Sequence, residues 1–331
     1  MRRLVLRRAP ALFVAAALAL TACSSGTDGG DQDADGDAPQ PEVADQELAV
    51  VVASYDVAVG EDRRLLAGVL TPDAAQLAFG EVTFELGHLG DEPGGEAELE
   101  TATTARYLPV LGLEPQIEPT DQPTVLVGQP GTGVYEARVD LDEPGYYGLR
   151  ITAELDDGTT REGRTTFEVV PEPEVPDVGD EAPRSENLTI ADVEAGDAPA
   201  VAVDSRAQGE GAEVPAPHLH DTTVAEALDE GRPVVVILST PTYCVSTFCG
   251  PLTEELAAVA ETHEDVADFV HIEVWRDFEE QQLNEAAAEW IQTESGGNEP
   301  WVFLVDGDGI VQGRWDNVLD LDDLEARLAS L

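Results

Sequence analysis

Cys244-Val-Ser-Thr-Phe-Cys-Gly-Pro-Leu252 is the stretch that decides the fold of the second half of this chain. An apolar run, 234–238, precedes it, and a helical pattern over 252–263 follows it. This order predicts a strand, a cysteine-bearing turn and a helix, which places thiol chemistry at one end of a sheet. Pro251 suits the first turn of that helix, where its missing N–H is no loss, and the helix N-terminus favours a thiolate at Cys249.

The chain has three cysteines: Cys23 at the end of a leader, and Cys244 and Cys249 as a close pair. In an exported protein such a pair suggests a disulfide, either stable or cycling. Five residues of a continuous helix turn through about 140°, so two helical sulfurs at this spacing could not meet. The spacing therefore predicts that both cysteines lie in the turn and that the helix starts after Cys249.

The composition is strongly acidic. Among 331 residues, 68 are Asp or Glu and 17 are Lys or Arg, which gives a net charge of −51, and every basic residue other than histidine is an arginine. Such a surface repels nucleic acid and anionic lipid headgroups, so neither is an expected partner. The length allows two or three domains.

Residues 1–22 have the pattern of a signal peptide, with an arginine-rich start and an apolar run, 9–20, that is too short to span a hydrocarbon core of about 30 Å. Leu20-Thr-Ala-Cys23 resembles the lipobox of bacterial lipoproteins. The resemblance implies cleavage before Cys23, lipid such as palmitate on this residue, and anchoring at the extracytoplasmic face of the cell membrane. Residues 23–45 are acidic and nearly free of apolar side chains, which predicts a disordered tether.

Residues 46–170 alternate short β-branched and apolar runs with Gly, Pro and Asp, which predicts an all-β sandwich. Asp142-Glu-Pro-Gly-Tyr-Tyr147 resembles the turn and tyrosine of immunoglobulin-like domains, and Asp156-Asp-Gly158 predicts a hairpin turn. A binding role and a spacer role for this domain both stay open. Residues 171–186 are rich in proline and predict a stiff linker. The seven predicted strands are 48–55, 64–70, 80–86, 102–108, 134–140, 147–155 and 164–170.

The remaining residues, 187–331, resemble a thioredoxin-like α/β domain. Val178-Gly-Asp-Glu-Ala-Pro183 is similar to the opening of families that include peroxiredoxins and TlpA-type reductases, and Phe248-Cys-Gly-Pro251 is similar to the thioredoxin motif. The family's second cysteine is Leu252 here, so the attacking cysteine does not transfer. After a loop over 191–217, the predicted elements are helix 222–230 with Asp221 as N-cap, strand 233–239, helix 251–263, strand 268–275, helix 278–291, strands 301–305 and 310–315, and helix 321–330.

Asn298-Glu-Pro300 matches the proline before an antiparallel strand in this family, which implies that Pro300 is a cis-proline facing the cysteines. Glu299 would then place a negative charge near the thiols and raise their pKa. His271 lies on the same strand face as Glu273 and is either a proton carrier or a hydrogen-bonded core residue. Arg276 ends a parallel strand, where α/β sheets bind ligands, and is otherwise a solvated side chain.

The resemblance implies thiol–disulfide exchange through Cys244 and Cys249 with extracytoplasmic protein thiols or disulfides, and it implies no cofactor and no metal. The alternative is a binding or structural module in which the same disulfide is static. A Sco-type copper chaperone would use the two cysteines and a histidine that Asn298-Glu-Pro300 lacks. A peroxiredoxin would pair Ser246 and Arg276 with Cys249.

Overall fold

The computed structural model describes residues 47–94, 99, 101–128, 131–209, 211–293 and 297–331. The predicted signal peptide, Cys23 and the tether lie outside the described residues. Within the described ranges, no helix combines the length and the apolar character needed to cross a membrane.

The first half of the described chain is a nine-stranded antiparallel sheet in the order β6-β3-β2-β7-β5-β4-β8-β9, with β1 paired to β2. The Leu48 N–H donates to Glu162 O at 3.1 Å, which brings the start of β1 beside β9 and curls the sheet around one core. The strands are β1 Ala49–Val52, β2 Gly60–Leu70, β3 Gln76–Ala78, β4 Glu81–Gly90, β5 Thr101–Pro109, β6 Thr124–Leu126, β7 Gly133–Leu141, β8 Gly145–Glu154 and β9 Thr160–Val169.

Alternation along the strands explains this core. In β8, every second side chain from Tyr147 to Ala153 is buried, while Arg150 and its even-numbered neighbours are partly exposed. Gly158 has φ 81°, which a residue without Cβ adopts without strain, and it closes the predicted hairpin between β8 and β9. All seven predicted strands are present, so the all-β prediction is confirmed and the curled sheet is consistent with a sandwich. The three-residue strands β3 and β6 are too short to show a period.

The second half is a four-stranded sheet in the order β11-β10-β14-β15, with helices beside it. β10 pairs parallel to β11 and antiparallel to β14, and β14 pairs antiparallel to β15. All of β10 is buried, because Val235 and Ile237 face one apolar core and Val234, Val236 and Leu238 face another. The elements are α1 Ile190–Ala195, α2 Val224–Asp229, β10 Val234–Ser239, α3 Cys249–His263, β11 Asp268–Glu273, β12 Trp275–Asp277, β13 Gln282–Leu283, α4 Glu285–Ile291, β14 Trp301–Val305, β15 Val311–Asp316 and α5 Leu321–Leu328.

Three local predictions outside the cysteine turn are wrong. The stretch predicted as a loop contains α1. The N-cap of α2 is Thr223 rather than Asp221, because Thr223 and Glu226 form a capping box whose two hydrogen bonds are 3.0 and 3.1 Å long. The helix predicted from residue 278 begins only after Asn284, because the β12–β13 hairpin occupies 275–283 and Asn284 Nδ2 is held by the carbonyl of Glu273 at 2.5 Å.

A buried charge network joins the two halves. Arg64, on β2, donates to Glu136 at 2.6 Å within the sandwich and to Asp316 at 3.0 Å at the end of β15. Its guanidinium also donates to the carbonyl of Val318. Around it, Leu66 and three other sandwich side chains form one apolar cluster with Val318. The described residues accordingly belong to one compact unit.

The segment between the halves also packs against the second half. Val175 is buried in the core that includes β10, and the Ala182 N–H donates to Gly309 O at 2.9 Å.

Candidate functional site

The two cysteines of the second half are joined by a disulfide at the junction between β10 and α3. Their Cα atoms are 6.0 Å apart, which is within the usual range for a bridge. Cys249 is the first residue of α3, so the helix begins at this cysteine rather than after it, and Cys244 lies in the preceding turn. The turn absorbs the rotation that a continuous helix would impose, which allows the sulfurs to meet.

The two sulfurs differ in exposure. Cys249 is 0% exposed, whereas Cys244 is partly exposed and its neighbour Val245 is 94% exposed. No side chain of the described residues caps the N-terminus of α3, so Cys249 lies beside backbone N–H groups that favour a negative charge. The hydroxyl of Ser246 lies 3.1 Å from Cys244 Sγ. Cys244 is therefore the more exposed cysteine of the pair, while Cys249 occupies the position that stabilises a thiolate.

An aromatic group adjoins the cysteine turn through Tyr243, the residue before Cys244. The rings of Tyr243 and Phe278 are stacked with centroids 4.1 Å apart, and Trp275 meets Phe278 edge-on at 5.5 Å. Phe278 is 41% exposed. Together with Val245, these side chains give the surface beside Cys244 an apolar character that suits an apolar polypeptide segment.

Tyr55, from the loop between β1 and β2 of the sandwich, covers another side of the disulfide turn. Its hydroxyl donates to Glu299 O at 2.9 Å and interacts with the side chain of Ser246. Its ring packs on Trp301 with centroids 6.0 Å apart. Burial, and then the carboxylates of Asp316 and Glu299, raise the pKa of Tyr55, so this hydroxyl stays a donor.

Pro300 follows a cis peptide bond at Glu299, at the start of β14. Burial raises the pKa of the Glu299 carboxyl to about 7. Near neutral pH this side chain therefore carries only part of the negative charge that the sequence predicts beside the thiols. Tyr55 occupies the carbonyl of Glu299, so the backbone acceptor before Pro300 already has a partner.

A chain of hydrogen bonds leads from the disulfide helix into the core. Thr253 Oγ1 donates to Cys249 O at 2.7 Å, and it lies 2.7 Å from Ser239 Oγ. Ser239 Oγ in turn lies 2.8 Å from His271 Nε2. His271 is fully buried, and its pKa is lowered to about 3 by burial and then by the neighbouring His220. His271 is therefore linked to the backbone carbonyl of Cys249, and not to its sulfur, through the hydroxyls of Ser239 and Thr253.

Glu273 and Arg276 lie farther along the same strand region. Glu273 is buried and accepts from the Ser205 N–H at 2.8 Å, and burial raises its pKa to about 7. Arg276 donates to Asp197 O at 3.2 Å and lines a cavity of about 340 Å³ with Glu186 and Asn284. The hydroxyl of Ser246 lies beside Cys244. The peroxiredoxin hypothesis requires this hydroxyl beside Cys249 instead.

The sequence gives no sign of a second polar group beneath the cysteine turn. Asp204 and His220, both in irregular segments, lie beside His271. Asp204 Oδ2 is 3.5 Å from His220 Nε2 and 3.9 Å from His271 Nδ1. Arg206 holds the other side of Asp204, with Nη2 to Oδ2 at 2.6 Å. Burial would raise the pKa of Asp204, but His220, Arg206 and His271 outweigh it and keep the pKa below its usual value. Neither irregular segment has a period or a ligand spacing that could have predicted this meeting.

The chain matches no family model, and no curated protein is similar to it in sequence.

Proposed function

We propose that this protein is a lipid-anchored, extracytoplasmic thiol–disulfide exchange protein, in which an immunoglobulin-like sandwich precedes a thioredoxin-like domain. The anchor is lipid on Cys23, for which the lipobox-like Leu20-Thr-Ala-Cys23 is the support. One observation carries the reaction: Cys244 is the more exposed cysteine of a disulfide whose other cysteine, Cys249, is buried at the N-terminus of α3.

The difference between the sulfurs assigns their roles. A substrate thiolate attacks Cys244 Sγ, the bond to Cys249 breaks, and Cys249 leaves as a thiolate that the N-terminus of α3 stabilises. A second substrate thiolate then attacks the substrate sulfur of the mixed disulfide and releases Cys244 as a thiolate. The substrate loses two electrons and two protons as its disulfide forms, and the protein gains them as two thiols. In the reverse direction, Cys244 attacks a substrate disulfide and Cys249 resolves the mixed disulfide.

The apolar border supplies a substrate class. Phe278 and Val245 stand exposed beside Cys244, so the partner that fits is a protein whose cysteine lies in an exposed apolar segment, as in an incompletely folded exported chain. A small acidic thiol would be repelled by the net charge of the protein.

Trapping with single cysteine variants tests this proposal. Cys249→Ser in the full chain removes the resolving thiol, so mixed disulfides should accumulate on Cys244 and migrate as larger species on non-reducing gels. Cys244→Ser is the matched control and should trap few partners. The reduction potential of the wild-type bridge should lie between about −120 and −270 mV. Equal trapping by both variants would contradict the assigned roles.

The second candidate is a static disulfide, and the packing of Tyr55 favours it. The sandwich holds the carbonyl before Pro300 and one side of the cysteine turn, which restricts the approach of a large partner. In that case the reduction potential of the bridge would lie below about −300 mV, and neither single cysteine variant would trap a partner.

A further inference from the structure

The group formed by Asp204, His220 and His271 is unusual because three of its ring nitrogens lack a partner among the described residues. All three side chains are 0% exposed. Both ring nitrogens of His220 and the Nδ1 atom of His271 lack a hydrogen-bond partner among the described residues. Buried polar atoms are almost always paired, so this group calls for a missing partner such as an ion or a water.

The hydrogen bonds around Ser239 determine which nitrogen of His271 carries a proton. The single hydroxyl proton of Thr253 is used on Cys249 O, so Thr253 Oγ1 accepts the proton of Ser239. Ser239 Oγ must then accept from His271 Nε2, which fixes the proton of a neutral His271 on that atom. The lone pair of His271 Nδ1 consequently faces Asp204 Oδ2 at 3.9 Å, with two acceptors opposed and no donor between them.

We infer that Asp204, His220 and His271 form a binding site for a divalent transition metal, most suitably Zn²⁺. The ligands would be Asp204 Oδ2, His220 Nε2 and His271 Nδ1. Ligands of tetrahedral zinc lie about 3.4 Å from one another, given metal–ligand distances of about 2.1 Å. The observed separations from Asp204 Oδ2 are 3.5 and 3.9 Å, and all three ligand atoms lie within 4.8 Å of one another, so a small contraction closes the site.

The surroundings of the ligands fit this assignment. Ser239 orients His271 from behind through Nε2, which is the arrangement that fixes the tautomer of a metal-binding histidine. Arg206 engages Asp204 through Nε at 3.0 Å to Oδ1 and Nη2 at 2.6 Å to Oδ2, and a carboxylate has lone pairs left for a metal. The positive charge of Arg206 opposes a cation, and the Glu254 carboxylate, 3.8 Å from Arg206 Nη1, partly offsets that charge.

The composition of the ligand set selects the metal. Two imidazoles and one carboxylate are borderline donors that suit Zn²⁺ and Fe²⁺ better than Ca²⁺ or Mg²⁺, which prefer oxygen ligands alone. Three protein donors leave one position of a tetrahedron for a water or another small ligand. The site lies beneath the cysteine turn, because the Thr242 N–H donates to Ser205 Oγ at 3.0 Å, next to Asp204.

The test uses the full chain, purified in detergent with its disulfide intact. The metal-free protein is loaded with ZnCl₂ and then dialysed against excess CaCl₂, which displaces zinc from the many surface carboxylates. Elemental analysis should find about one zinc per chain in the wild type. His220→Ala and His271→Ala should retain less than about a tenth of this amount. The exposed His218, two residues from His220, provides the matched control, and His218→Ala should retain the wild-type content.

Further measurements decide the proposal if a variant fails to fold. Wild-type protein loaded with CoCl₂ should show the intense d–d absorption of a tetrahedral site, and chelation should remove both this absorption and part of the thermal stability. Wild-type protein that holds no zinc after dialysis, or a folded His220→Ala variant with unchanged zinc, would overturn the inference. The double variant Cys244→Ser/Cys249→Ser should keep its zinc, so failure of the thiol proposal and failure of this site are separable.

Discussion

Replacing Arg64 with leucine tests whether the two halves of the molecule support one another. The Arg64 side chain is 8% exposed, and its partners Glu136 and Asp316 are 4% and 9% exposed. Removing one partner of a buried ion pair costs about 3–5 kcal/mol, because the remaining charge is left without compensation. Arg106 still contacts Glu136 at 2.8 Å in the variant, whereas Asp316 loses its guanidinium, so we expect a loss of about 3 kcal/mol.

Urea unfolding followed by tryptophan fluorescence measures this loss of stability in the second half of the molecule. All four tryptophans lie in the second half, at positions 275, 290, 301 and 315, although Arg64 belongs to the sandwich. Arg64→Leu should therefore lower the fluorescence midpoint of a region that does not contain the substitution. The control is Arg150→Leu, which removes an ion pair with Glu85 inside the sandwich and should change the stability by about 1 kcal/mol or less. A fluorescence transition that Arg64→Leu leaves unchanged would refute the coupling.

Three further predictions concern the site and the anchor. Glu299 has a pKa of about 7 in the folded protein, above its ordinary value of 4.5, so the folded state binds the proton more tightly and loses stability as the pH rises from about 4.5 to 7. Glu299→Gln should thus stabilise the protein by about 1–3 kcal/mol at pH 8 and have little effect at pH 4 in urea titrations; a gain at both pH values would contradict this. Tyr55→Phe removes the hydrogen bond to Glu299 O, which should cost about 1 kcal/mol of stability. The variant should also be reduced faster by dithiothreitol, and an unchanged reduction rate would show that Tyr55 does not restrict access to the disulfide. Cys23→Ser should release the protein from membranes and abolish labelling with palmitate, and a variant that still enters the detergent phase would exclude the lipobox.

Most of the structure that could be predicted follows from local periodicity and from turn residues. The strands of the sandwich alternate buried and exposed side chains, and the run over 234–238 is apolar throughout, so both could be predicted from the sequence alone. The start of α2 shows a finer signal, because Thr223 and Glu226 have the spacing of a capping box. The disulfide was predictable as well, since only two cysteines follow the leader.

Contacts between distant irregular segments were not predictable. Asp204 and His220 lie in stretches without period, and nothing in their spacing indicates that they meet a strand residue such as His271. The pairing of Arg64 with Asp316 joins residues 252 positions apart, and a chain with 68 acidic residues offers every arginine many candidate partners. Burial decides among these partners, and burial follows from the packing of the two halves.

Cutting the chain between its halves would leave one side of the Arg64 network without the other. A fragment that starts after the proline-rich segment would present Asp316 and the apolar Val318 to water, and the sandwich alone would present Leu66 and a guanidinium without its distant carboxylate. Such surfaces favour self-association. A truncated gene product that fails to complement a deletion would therefore report on insolubility rather than on a missing activity. Single substitutions in the intact chain, beginning with Cys249→Ser, are the more informative genetics.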